Sequence, residues 1–431
     1  MIAVFRRLVS DSSGNTAIIF ALLLLPLIFM TGMGSDYALA ALRQNQLNAI
    51  ADAAALAAVR PAIVTQVDAA SVSAATSTFN AQAASVSGIN GLVGVSVAVS
   101  DSLNAGVVER TVTLNYTAKS QNAFLTALWG PTISLSGSSQ ATAKGSPNID
   151  FYLLLDDSPS MAIAATPTGI QTMVNHTSAQ SGCAFACHQK NPAADNLGNP
   201  GGEDNYTLAR NLGVTLRIDL LRQATQNLMT TAQTTENADG SQYRMAIYTF
   251  DAGFNTIQTL TANLTGAQVA AGNINLLLVD HNNWLTSTNQ NNDTDTNYDN
   301  AMNKVNLTMP APGLGTNAQT DSPQEVLFFV TDGVEDESVS GARQQSLMDP
   351  GWCTKVKNRG IRIAVLYTTY LPLPTNAWYN QYISPFQTQI GPTLQTCASP
   401  QLFFEVQSGG DISAAMAALF QSAVRTAYLS K

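Results

Sequence analysis

Charge is what this chain has least of: Asp, Glu, Lys and Arg make up 11% of its 431 residues, and histidine occurs three times. The 29 acidic residues outnumber the 20 basic ones, for a net charge of −9. A phosphate backbone is bound through clustered Lys and Arg, so this balance argues against a nucleic-acid partner. No Ser-His-Asp set, pair of catalytic carboxylates or phosphate-cradling Gly loop is visible, which leaves nothing to activate a nucleophile. The chain is therefore expected not to be an enzyme, with a metal-dependent hydrolase kept as the remote alternative. Cysteine is also sparse. Its four members, Cys183, Cys187, Cys353 and Cys397, all follow the one long apolar run. An oxidising compartment would let them pair, and the simplest pairing is Cys183 with Cys187 and Cys353 with Cys397.

That apolar run is the clearest feature present. From Ser12 to Ser35 no residue is charged, which is enough to cross a bilayer core at about 20 residues. Arg6 and Arg7 precede it and Asp36 follows. By the positive-inside rule the N-terminus of this single-pass protein is cytoplasmic and everything after Asp36 lies on the outer side of the membrane. The expected membrane contact is residues 17–35. A cleaved signal peptide is the rival reading, since Ala38-Leu39-Ala40 fits a small-x-small cleavage site, but the run exceeds a signal core of about 7–15 residues.

Beyond the run, Asp36 to Arg60 is alanine-rich without Pro or Gly and continues as helix. Pro61 interrupts it, a second helix covers about Val67 to Ala84, and Gly88, Gly91 and Gly94 mark turns. Val95–Val99, Arg110–Tyr116 and Thr132–Ser136 alternate with the period of half-buried strands. The composition changes at Lys144-Gly145-Ser146-Pro147. The expected division is 1–35 cytoplasmic N-terminus and anchor, 36–143 helical stalk and small pilin-like α+β region, 144–148 linker, and 149–431 an α/β domain with an insertion at 162–212. In that last part Ile149–Leu155, Met245–Phe250, Val326–Val330, Ile361–Tyr367 and Phe403–Val406 read as strands. Val214–Thr231, Tyr298–Asn306 and Ile412–Tyr428 read as helices. Continuous apolar strands alternating with helices indicate a doubly wound, mostly parallel sheet.

Asp156-Asp157-Ser158-Pro159-Ser160 sits directly behind the first of these strands. Read as Asp-x-Ser-x-Ser, it lets Asp156, Ser158 and Ser160 fold around one centre. A hard cation wants oxygen ligands and retains waters, so one carboxylate and two hydroxyls leave room for an outside ligand. Taken alone, the same residues equally fit a strand-end turn capping the next helix. Asp332, in Val330-Thr331-Asp332-Gly333, reaches the same carboxyl edge of the sheet, where open α/β sheets collect ligands. Asp157 is expected to face solvent or cap a loop, and Glu335, Asp336 and Glu337 to form a solvated rim. Cys183-Ala184-Phe185-Ala186-Cys187-His188 has one residue too many for haem attachment and reads instead as a disulfide-pinned loop. His176 and His281 show no ligand spacing around it. The run Asn289–Asp299 carries Asp293, Asp295 and Asp299 but lacks the Gly and distal Glu of an EF-hand loop.

From about Asn148 to Leu429 the chain resembles a von Willebrand factor A domain with its metal-ion-dependent adhesion site. The resemblance implies that Asp156, Ser158, Ser160 and Asp332 ligate a divalent cation, Mg²⁺ first and Ca²⁺ or Mn²⁺ next, with a Thr from a third loop. Thr296 fits because a helix with Ala301 and Met302 follows it; Thr316 has no room for one, and Thr294 stays open. An acidic group of a partner would complete the metal. Ser13-Gly14-Asn15-Thr16-Ala17-Ile18-Ile19-Phe20 and Ala49-Ile50-Ala51-Asp52-Ala53-Ala54-Ala55-Leu56 resemble the N-terminal region of TadG-like proteins of the Flp, or tight-adherence, pilus assembly system. Ile19 stands where a prepilin cut after Gly14 would usually want Glu, so no such cleavage is expected. The combination implies a membrane-anchored, metal-dependent protein-binding component of pilus assembly or surface adhesion. Its partner would be a pilus or envelope-complex protein. A periplasmic chaperone-like or regulatory domain is the alternative.

Overall fold

The computed structural model describes residues 13–426 except 61–62, 64–65, 105–106, 125, 127–129, 181, 190–191, 193–202, 280–295, 341, 371, 375–376 and 408–409. The chain divides into two compact units, with the main break between Lys144 and Gly145.

The first unit opens with α1, Ser13–Ala58, an unbroken helix of 46 residues that includes Pro26. Its first half shows apolar side chains to the outside: Ile18, Phe20, Leu22, Leu27 and Met30 are all more than half exposed. Its second half is buried on one stripe, Leu47, Ala51, Ala54, Ala55 and Ala58, against α2 (Asp68–Ala83) and a sheet of β1 (Ile89–Asn104), β2 (Val107–Gln121) and β3 (Thr132–Gly145) in that order. Alanine at the stripe lets helix and sheet approach closely. Gly91 and Gly94 are not turns, as expected, but lie inside β1; pairing with β2 overrides their weak strand preference. Gly88, at φ 74°, does make its turn. Arg110 is fully buried and held by both oxygens of Asp101 at 2.8 Å, by Asp68 at 2.9 Å and by the carbonyl of Gln66. That set of partners satisfies the buried charge.

The second unit is built on a six-stranded sheet. Its strands are β4 (Ile149–Asp156), β5 (Tyr243–Phe250), β6 (Phe254–Thr261), β7 (Gln324–Thr331), β10 (Arg362–Thr368) and β11 (Phe403–Val406), in the order β11-β10-β7-β4-β5-β6. All neighbours are parallel except β5 and β6, which pair antiparallel at one edge. Every residue of β4 and β7 is buried, as central strands covered on both faces require. Phe151, Leu153 and Leu155 point to one face, with Leu221, Ala224 and Leu228 of α5 (Arg217–Asp239) and Phe420 of α11 (Ile412–Thr426). Tyr152 and Leu154 point to the other, with Met302 and Val305 of α7 (Tyr298–Thr308) and Leu394 of α10 (Gln387–Cys397). Between these lie the short helices α3 (Pro167–His176), α4 (Asn205–Asn211), α6 (Leu264–Ala271), α8 (Gly351–Lys357) and α9 (Ala377–Tyr382), and a hairpin of β8 (Val334–Val339) and β9 (Ala342–Leu347).

Two expectations change here. The helix predicted from Val214 starts at Arg217, because Leu216 is held extended by a bridge to Ala164, and it runs on to Asp239, where Gly240 at φ 73° ends it. Cys353 and Cys397 are disulfide-bonded, joining α8 to the end of α10, but Cys183 and Cys187 are not. Their segment is fastened otherwise: Ala186 N donates to Ala162 O, and the Thr177 hydroxyl to Cys183 O.

Candidate functional site

Asp156 is the last residue of β4, and Asp332 follows the end of β7, the strand beside it. Parallel pairing in register brings both carboxylates to one edge from positions far apart in sequence. Behind Asp156 the chain turns at once into a short 3₁₀ segment, Pro159–Ala162, with Pro159 fixing the entry. The turn is held by Asp156 itself, whose Oδ1 accepts from Ser158 N at 3.1 Å and from Ser158 Oγ at 2.6 Å. Ser158 Oγ and Ser160 Oγ are 3.0 Å apart. After Asp332 the exit turn needs Gly333: φ is 81°, and a Cβ there would meet Ile390 Cγ2 at 2.4 Å.

Asp156, Ser158 and Asp332 are wholly buried, and Ser160 alone of the four is partly open to solvent. Burial, and then the neighbouring Asp332, push the Asp156 carboxyl up to about 7. Burial also raises Asp332, while Arg217 opposes the rise. Arg217 opens α5 and is itself buried, with Nη1 3.8 Å from Asp332 Oδ2 and Nη2 donating to Thr369 O. Among the described residues neither Arg217 Nη1 nor Asp332 Oδ2 has a hydrogen-bond partner.

Thr296 is buried and tied by two backbone hydrogen bonds to Asp336, its N donating to Asp336 O at 3.1 Å and its O accepting from Asp336 N at 3.0 Å. Thr316 is elsewhere: its hydroxyl donates to Asp321 and Gly315 O accepts from Asn148 N, at the amino end of the sheet. Thr294, His281, Asp293 and Asp295 lie outside the described residues, and Asp299 is an exposed residue in the first turn of α7. Asp157 does not face solvent. It is buried, its Oδ1 lacks a partner, and burial and then Asp251 push its carboxyl well up. Glu335 and Asp336 are likewise buried, not a solvated rim, because β8 folds back on β9 and Arg343 clasps Asp336 with Nε at 2.7 Å. His188 is paired with Asp204 at 2.7 Å.

Two contributors escaped the sequence reading. The Thr331 hydroxyl donates to Asp156 Oδ2 at 2.8 Å, meets the Tyr298 hydroxyl and accepts from Gly333 N, so it orients the carboxylate. Its position next to Asp332 was the available signal. Arg217 also had one: a cation at a helix N-terminus opposes the macrodipole and calls for a nearby anion.

The donor set is oxygen throughout, two carboxylates and two hydroxyls, which suits a hard divalent cation and not a soft one. Among the described residues no group of three or more His, Cys, Asp or Glu is placed to hold a metal. Any cation here would depend on the hydroxyls, water and an outside ligand. Two buried carboxylates against one guanidinium, with an orphaned oxygen on Asp332, leave a charge deficit of the kind a cation relieves.

Strand order, the antiparallel edge strand, helices on both faces and the facing Asp156 and Asp332 turns define a von Willebrand factor A-type domain. The N-terminal part has a separate affinity: residues 14–61 match the family described as putative Flp pilus-assembly TadE/G-like. The similarity to that family covers residues 14–61 and does not extend into the second unit. No curated protein matches the chain. Among solved structures, BatB from Bacteroides thetaiotaomicron is 10% identical, over 64% of this chain and 100% of its own, with TM-score 0.34. The von Willebrand domain of the type V pili tip protein Mfa5 from Porphyromonas gingivalis is 10% identical over 65% and 95%, with TM-score 0.35. The mussel byssus proximal thread matrix protein 1, with a zinc-occupied metal-ion-dependent adhesion site, is 11% identical over 65% and 46%, with TM-score 0.33.

Proposed function

We propose that the chain is a membrane-anchored, non-enzymatic protein-binding component of Flp-type pilus assembly or adhesion, whose contact with its partner runs through a divalent cation. Asp156, Ser158, Ser160 and Asp332 would hold the ion, with Thr296 from the loop before α7 as the further ligand. The observation that carries this reading is the burial of Asp156 and Asp332 side by side, with no hydrogen bond to Asp332 Oδ2 among the described residues and only Arg217 Nη1, 3.8 Å away, opposing their charge. A bound Mg²⁺ would supply the missing positive charge and a coordination position for an acidic side chain of the partner. Thr331 holds Asp156 in orientation, and the partly open Ser160 marks the side from which the ion and partner enter.

Anchoring rests on α1, the one described helix long and apolar enough to cross a membrane. The compartment that follows is the outer side of the inner membrane, by the Arg6 and Arg7 charges that precede the helix.

Titration calorimetry of the full chain with Mg²⁺, Mn²⁺ and Ca²⁺ tests the site. Binding is expected in the wild type and lost in Asp156→Ala and Asp332→Ala. Crosslinking in native envelopes then tests its use. Partners captured by the wild type but not by Asp332→Ala support the proposal, and an identical partner set in both overturns it. Pilin or surface ligands among the captured proteins favour adhesion; inner-membrane assembly proteins favour a regulatory role.

A further inference from the structure

The loop between β2 and β3 is fastened to α1 at an unusual place. Asp36, 2% exposed, accepts from Ala123 N through Oδ1 at 2.9 Å and from Phe124 N through Oδ2 at 2.7 Å. One turn earlier on the same helix, Gly32 leaves the space that Phe124 fills: a Cβ on Gly32 would come within 2.6 Å of Phe124 Cγ. Although it leans on the helix, Phe124 is 47% exposed, and Ala123 and Thr126 are exposed beside it. On the same face of the helix, Ile28, one turn before Gly32, and Leu39, two turns after it, are 48% and 43% exposed. Phe124 therefore adds to an exposed apolar face of α1, at the turn where the uncharged run ends.

The described start of this loop, Asn122 to Phe124, has its backbone amides bonded within the protein. Asn122 N donates to Pro131 O at 2.9 Å, the next two amides go to Asp36, and the Thr126 hydroxyl donates to Asn122 O. A loop in contact with lipid must satisfy its donors internally, since the bilayer offers none in return. Aromatic side chains at the level of the headgroups are the usual anchors of such contacts.

We propose that the loop around Phe124 is a second membrane contact, seated in the interfacial zone of the bilayer beside the Gly32–Asp36 turn, with lipid as its partner. It would fix the rotation of α1 and the tilt of the first unit at the membrane surface. The inference rests on the reading of α1 as an anchor.

The test reads both separately. The full chain carrying Cys183→Ser and Cys187→Ser is given one fluorophore-labelled cysteine, at Phe20→Cys within the apolar run, Phe124→Cys in the loop or Leu56→Cys on the far half of α1. Each is reconstituted in phosphatidylethanolamine and phosphatidylglycerol vesicles with and without doxyl-labelled lipid. Quenching is expected at 20 and 124 and not at 56. Quenching at 20 alone leaves the anchor standing and overturns the loop contact. No quenching at 20 overturns both, and equal quenching at 56 shows the helix lying along the surface, which also overturns it. A label at Thr126→Cys repeats the reading should Phe124→Cys fail to fold.

Discussion

At the scale of single residues the second unit keeps buried carboxyls at both ends of its sheet, and they are treated differently. At the amino end Glu325 pairs in register with Asp150 on the next strand, and both its oxygens are buried without a hydrogen bond among the described residues. Arg244 is committed to Asp150, with Nε 2.7 Å from Oδ1. Burial, and then repulsion from Asp150, push the Glu325 carboxyl up to about 9, against the pull of Arg244. The folded state thus holds a proton that the unfolded chain releases near 4.5, so the contribution of this group is intact below 4.5 and is lost as pH rises toward 9. Glu325→Gln, neutral in both states, is expected to be more stable than the wild type at pH 8, with the advantage shrinking toward pH 5; urea midpoints across that range check it. At the carboxyl end, Asp156 and Asp332 were legible because each directly follows an apolar strand. Asp157, Glu335 and Asp336 were not, since Asp157 is tied in by backbone bonds to Phe250 and Leu277 and the other two belong to the β8 and β9 hairpin, which the local sequence does not announce.

At the scale of elements, long uniform patterns were read well and short mixed ones were missed. The core strands β4, β7 and β10 are continuous apolar runs, whereas the edge strand β6 has no buried residue to give it a pattern. The hairpin β8 and β9 is polar in sequence and owes its form to pairing. The disulfide between α8 and α10 closes a loop of 44 residues. Chain entropy assigns such a closure about 4 kcal/mol at most. Cys353→Ala with Cys397→Ala is therefore expected to lower the denaturation free energy by roughly 2–4 kcal/mol. Cys183→Ser, which breaks no bridge, is expected to change it far less. The physical reason lies in the insertion, which is secured by backbone and hydroxyl bonds and not by a disulfide between Cys183 and Cys187.

At the scale of the molecule, the two units have separate cores, Leu47, Phe79 and Leu114 in one and Phe151, Phe328 and Phe420 in the other. A fragment of residues 145–431 is expected to fold alone and unfold in one cooperative transition, and under the proposed function it would bind Mg²⁺ with the same affinity as the full chain. Calorimetry of fragment and full chain compares them. In the first unit, α1 is latched to the sheet at many levels. Asp36 holds Ala123 and Phe124, Arg43 holds Ser87 O, Ser120 Oγ and Gln121 O, Gln44 and Asn48 share Tyr116, and Asp52 takes the Ser139 hydroxyl. Because these bonds are spaced from Asp36 to Asp52 along one helix, a pull parallel to the helix loads them together in shear, while a sideways pull would break them one after another. The unit is mechanically anisotropic: stiff under axial tension and weak to peeling.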